Sequence, residues 1–255
     1  MAADDALAHG GNDPELVHRA RVAIRRLRSV LRTFRPMLEP NWTKQRRDRL
    51  RRLSEELSAA RDADIILARA RNDVQSLDAG DGIAADGIFT ALSEARDGVY
   101  ARVREVLRDA DHLTLPRELA ALIERPAIVN PDARLVDVVG PILEKTSKRL
   151  RNCVRRASKP PTDEELHAIR IAAKHVRYAL EACEAVIGRR GRRAAKRVER
   201  LQDVLGEEHD ATFSEHRLRE LGAREMARIE RKAAARARSR WRRCWRSAKR
   251  GLGDL

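Results

Sequence analysis

Apolar residues recur three and four positions apart along most of this chain, the period of an amphipathic helix. No stretch alternates with the period of two that marks a half-buried strand. Prolines 14, 36, 40, 116, 126, 131, 160 and 161 fall where helices should start or stop. The pattern predicts helices over 14–37, 41–58, 62–78, 84–111, 132–158, 162–187, 190–205, 208–220 and 223–249, with a short extra turn at 116–124. Glycines and aspartates make 77–87 a loop, and "ERPAIVNPD" (124–132) is the best boundary between halves. The expected fold is all-α.

The chain repeats itself. "VHRARVAIRRLRSVLRTF" from Val17 matches "LHAIRIAAKHVRYALE" from Leu166, so that His18, Arg21, Arg25 and Arg28 align with His167, Arg170, Lys174 and Arg177. "RRLSEELSAARDAD" (51–64) matches "ERLQDVLGEEHDAT" (199–212), aligning Arg52 with Arg200 and Asp62 with Asp210. The first pair is offset by 149 residues and the second by 148. Two motifs in one order at nearly one offset imply two related helical bundles, each near four helices, arranged with pseudo-twofold symmetry. The expected division is a disordered 1–13, a first repeat over 14–126 and a second over 127–255. The helix over 132–158 has no counterpart before His18, which leaves an apolar seam through which the first bundle could form a homodimer.

A helix turns about 100° per residue, so His18, Arg21, Arg25, Arg28 and Arg32 fall within roughly 80° of arc. Ile24, Leu27, Leu31 and Phe34 occupy a separate apolar arc. The second copy repeats this with His167, Arg170, Lys174 and Arg177 beside Ile169, Val176 and Leu180. Glu181 stands where Arg32 stands and dilutes the far end of the second stripe. Like charges at these spacings cost a helix a few tenths of a kcal/mol per pair, and residues 17–35 contain no acid to relieve it. A solvated basic face explains one such helix; two with the same spacing are better explained by an anionic ligand. In the next helix of each half, Arg49 and Arg52 match Arg197 and Arg200 and flank the core leucines, so their charge should converge on the groove between helices. His18 and His167 lie on the cationic stripes and are candidate ligand contacts, whereas His175 and His209 are read as merely polar positions. Asp62 and Asp210 are read as helix N-caps or as salt-bridge partners that hold an arginine.

The 255 residues carry a net charge of +15, and 46 of the 54 basic residues are arginine, the side chain whose fork matches phosphate oxygens. Cys153, Cys183 and Cys244 lack metal or disulfide spacing, and the acidic N-terminus is no signal peptide. No apolar run spans a bilayer. A cytoplasmic protein without metal or cofactor follows. The run 231–250 holds ten basic residues and no acid; it predicts a helix with Trp241 and Trp245 on its core side, its charge either extending the groove or simply solvated.

The two pairs of motifs resemble those of the CHAD family, the conserved histidine α-helical domain, in order and over nearly the whole chain. The resemblance implies two four-helix bundles around a basic cavity that binds inorganic polyphosphate, with association to polyphosphate granules. It places ligand contacts on His18, Arg21, Arg25, Arg28, His167, Arg170, Lys174 and Arg177, supported by Arg49, Arg52, Arg197 and Arg200. Many relatives carry a triphosphate-processing domain at their N-terminus; none is expected here, so catalysis is not implied. A nucleic-acid-binding protein is the alternative that net charge supports equally, although eight aromatic residues offer little for bases to stack on. A phosphoanhydride enzyme would need carboxylates to hold Mg²⁺ near the phosphates, and only Glu181 lies on a cationic stripe.

Overall fold

Asp13 starts the first helix: its carboxylate accepts from the Glu15 amide at 2.9 Å, and Pro14, whose missing N–H costs nothing there, occupies the first helical position. The computed structural model describes residues 13–75, 79–109, 114–124, 127–129 and 132–254. Among them lie eight α-helices: α1 (Pro14–Thr33), α2 (Pro40–Val74), α3 (Ala79–Arg108), α4 (Leu115–Glu124), α5 (Leu135–Arg156), α6 (Asp163–Ala182), α7 (Glu184–Glu220) and α8 (Arg224–Gly253). The described residues contain no strand, only one isolated bridge between Leu38 and Ile128. The fold is all-α, as its periodicity predicts. The expected disorder of 1–13 falls almost wholly outside the described residues.

The chain divides into two compact units, Met1–Pro131 and Asp132–Leu255. In the first, α1 packs on α2 and α2 on α3. Val17, Ala20, Ile24 and Leu31 of α1 meet Leu50, Leu53, Leu57 and Ala60 of α2, with Tyr100, Val103 and Leu107 of α3 and Leu115 of α4 closing the core. Asp64 is buried in this unit, where it accepts from the Tyr100 hydroxyl at 2.9 Å and from Arg96 Nε at 2.7 Å. In the second unit each helix packs on the next, from α5 to α8. Leu150, Leu166, Ile169, Leu180, Leu201, Leu205, Leu218 and Trp241 are its largest fully buried side chains. A capping box starts α6: the Thr162 hydroxyl accepts from the Glu165 amide, and the Glu165 carboxylate accepts from the Thr162 amide.

Several expected boundaries are corrected. The helices predicted over 41–58 and 62–78 are one helix, α2, and those over 190–205 and 208–220 are one helix, α7. "LSAARDAD" contains neither proline nor glycine, and a single Gly206 is tolerated because burial of Leu205 and Ala211 on either side repays its poor propensity. Asp62 and Asp210 are therefore interior helical residues, and their reading as N-caps is overturned. The loop expected over 77–87 gives way to helix from Ala79 onward, with Ala85 already buried; residues 76–78 lie outside the described set. The predicted break near 188 is real. Gly188 has φ +57°, a left-handed conformation suited to glycine, and it kinks α7. Gly222, at φ +78°, ends α7 in a Schellman turn, with the Ala223 amide donating to the Leu218 carbonyl at 2.8 Å and its own amide donating to Arg219 at 3.0 Å.

Candidate functional site

In the second unit the cationic face of α6 lies along α7. Arg170 approaches the Asp210 carboxylate at 3.8 Å, so the salt-bridge reading of Asp210 holds. The same arginine passes over Gly206, where a Cβ would stand 3.9 Å from its Nε. One turn earlier, His167 Nδ1 lies 3.4 Å from His209 Nδ1, the rings tilted with centroids 4.9 Å apart. His209, read from sequence as a plain polar position, is thus part of the site. Burial, followed by the charges of Arg170 and Lys174, lowers the His167 pKa from its ordinary 6.5.

That shift has a sign. A histidine whose folded-state pKa is depressed binds fewer protons when folded than when unfolded, so it subtracts stability as pH falls through 6.5 toward the lowered value. A polyanion laid beside the ring reverses this by favouring the imidazolium. Thermal melts at stepped pH below 6.5 should therefore show the free protein losing stability faster than its His167→Gln variant. Saturating polyanion should abolish the difference; equal pH slopes in the free proteins would refute the assignment.

Farther along α6, Arg177 closes on its own unit. Its Nε donates to Glu181 at 2.7 Å, and its Nη1 to Glu199 at 3.1 Å and to Gln202 at 3.5 Å. Burial works against this charge, yet hydrogen bonding and attraction from Glu181, then attraction from Glu199, leave its pKa raised.

The first unit holds the equivalent groove in the same register. Arg21 Nε donates to the Ser58 hydroxyl at 3.2 Å, and Ser58 stands where the second unit has Gly206. His18 and Arg25 are half-buried on the same face of α1, and Arg32 is exposed at its end. Arg28 differs sharply from Arg177. Burial lowers its pKa; Glu55 opposes the change, while Arg47 and Arg51 of α2 add to it. Arg47 and Arg51 were not singled out from sequence. The signal was there, since 47, 51, 55 and 58 fall on one flank of a helix.

Not every expected contact residue joins these grooves. Arg49 donates through Nη1 to both Glu118 oxygens, at 2.8 and 2.9 Å, and through Nη2 to the Thr114 hydroxyl at 2.8 Å, tying α2 to α4. Arg46 joins the same carboxylate at 2.8 Å. Arg197, the repeat equivalent of Arg49, reaches Asp254 at 3.5 Å and packs over Gly251 near the end of α8. Both arginines anchor a later helix of their own unit. Arg52 and Arg200 are exposed. Along α8, Trp241 is buried, Trp245 half-buried, and Arg231, Lys232, Arg236, Arg242, Arg243, Arg246, Lys249 and Arg250 form an exposed outer stripe.

Comparison with known proteins then decides the family, because the CHAD domain family model matches residues 1–219. The chain belongs to the CHAD family. The curated CHAD-matching relative named Uncharacterized protein Rv2226, from Mycobacterium tuberculosis, is 27% identical over 221 residues, covering 80% of this chain and 40% of its own length. The chain therefore spans about two fifths of the curated relatives it matches. Among solved structures, the CHAD domain of the plant Ricinus communis superposes with a TM-score of 0.71 at 24% identity, covering all of this chain and 86% of that one. PptA from Streptomyces chartreusis superposes with a TM-score of 0.68 at 20% identity, covering 92% of this chain and 90% of its own. At these identities the two structures speak for the fold alone. No helix among the described residues is long and apolar enough to cross a membrane, and those residues hold no group of three or more His, Cys, Asp or Glu able to bind a metal ion.

Proposed function

We propose that this protein binds inorganic polyphosphate without transforming it, through the cationic grooves between α1 and α2 and between α6 and α7. One observation carries the reading. At repeat-equivalent positions in both units, a histidine and two further cations line one helix face and meet the next helix in the same register, Arg21 over Ser58 and Arg170 over Gly206. Rows of cations at helical spacing suit a long, thin polyanion whose charge recurs along its length. Relatives in the family that the motifs resemble are associated with polyphosphate, and a cytoplasmic protein gathered at polyphosphate granules is the matching cellular expectation. The carboxylates near the grooves argue against phosphoryl transfer. Glu181 and Glu199 are engaged by Arg177, and Asp210 faces Arg170, which leaves no carboxylate pair poised to hold Mg²⁺ against a phosphate.

The second reading is nucleic-acid binding, favoured by the exposed basic stripe on α8. Competition at one salt concentration among long polyphosphate, RNA and duplex DNA separates the two. Polyphosphate should displace both nucleic acids at equal phosphate concentration, with log affinity falling linearly as log salt rises. It should also emerge with its chain length unchanged after incubation with Mg²⁺. Preferential retention of RNA or DNA would overturn the assignment.

A further inference from the structure

The two grooves are built alike but charged differently at their far ends. In the second unit the stripe stops at Arg177, which Glu181 and Glu199 hold at 2.7 and 3.1 Å. The repeat alignment places Arg32 where Glu181 stands and Arg51 where Glu199 stands. It also places Arg47 where Ala195 stands. The contact that pairs Arg177 with a carboxylate in one unit thus sets Arg28 against a second guanidinium in the other. Four cations, Arg28, Arg32, Arg47 and Arg51, occupy the positions of one cation, two carboxylates and an alanine. Glu55 is the acid facing this set, and its equivalent Asp203 adds a further negative group beside Arg177.

Resting on the reading of the grooves as polyphosphate sites, we propose that the far end of the α1–α2 groove is an additional anion subsite. It takes consecutive phosphate groups of the same chain, and its counterpart in the α6–α7 groove is closed by internal ion pairing. The two units are therefore unequal partners. The first grips the chain along the whole helix, and the second only from His167 to Lys174. Like-charged guanidiniums half-buried beside one another repel in the absence of an anion, and a phosphate between them turns that repulsion into forked hydrogen bonds. Glu199 does for Arg177 permanently what a phosphate oxygen does for Arg28 on binding.

Exchanging the charge patterns tests this in both directions, with labelled short-chain inorganic polyphosphate as probe. Importing the second pattern into the first unit, Arg32→Glu with Arg51→Glu, should weaken binding roughly a hundredfold and flatten its salt dependence. Importing the first pattern into the second unit, Glu181→Arg with Glu199→Arg, should tighten binding roughly tenfold and steepen that dependence. Glu181→Gln with Glu199→Gln, which adds no bulk or repulsion, should tighten it by less, and it decides the matter if the double arginine variant does not fold. Far-ultraviolet circular dichroism checks each fold. If wild type binds polyphosphate and neither exchange moves its affinity by more than about threefold, the subsite is refuted while the function stands. If wild type binds none, both fall.

Discussion

A protein carrying Arg21→Ala, Arg25→Ala, Arg170→Ala and Lys174→Ala keeps its helical content and loses most of its polyphosphate affinity. Each charge-assisted phosphate contact is worth at least about 1 kcal/mol, so four together should cost roughly a thousandfold. Four lost contacts should also make the slope of log affinity against log salt shallower by about 3. The structural cost is small. Arg21 gives up one hydrogen bond to Ser58, and Arg170 one ion pair at 3.8 Å, long for a strong bridge. None of the four belongs to the buried apolar core. Titration by isothermal calorimetry at several salt concentrations, alongside thermal melts, measures both effects. Unchanged affinity in a folded variant would remove the grooves from consideration.

Trp241→Ala is expected to be the most destabilising single change, at about 3–5 kcal/mol. The indole is 2% exposed and is the bulkiest of the fully buried side chains. It sits on α8, beyond the residues matched by the family model, yet α8 is bound into the second unit by more than this ring. Arg238 bridges the buried Glu208 of α7 and Asp163 at the start of α6, and Arg240 pairs with Glu207. Urea denaturation followed by circular dichroism measures the loss. A change below about 1 kcal/mol would mean that α8 is an appendage rather than part of the core.

Much of this was legible in the sequence, for identifiable reasons. A helix face is set by residue spacing alone, so the stripe from His18 to Arg32 and its copy from His167 to Arg177 could be drawn without coordinates. The partner of each cation could not, because it depends on how one helix is phased against the next. Arg49 and Arg52 looked equivalent as flanks of the core leucines. Packing turned the first toward Glu118 on a later helix and left the second in solvent. His209 lies 42 residues from His167, and only the pairing of α6 with α7 brings the rings together. The missed continuity of α2 and α7 has the opposite origin. Aspartate and glycine invite a local stop signal at 58–62 and 206–208, and burial along 35 and 37 residues of helix overrides it.

Arg49 and Arg197 descend from one position in a duplicated half, and each still fastens a later helix, but through acids that are not themselves equivalent: Glu118 within α4 and Asp254 just after α8. The carboxylate has been replaced during divergence while the guanidinium has stayed. Ancestry in this protein is thus recorded in its bases, and its acids mark where the two descendants have gone separate ways.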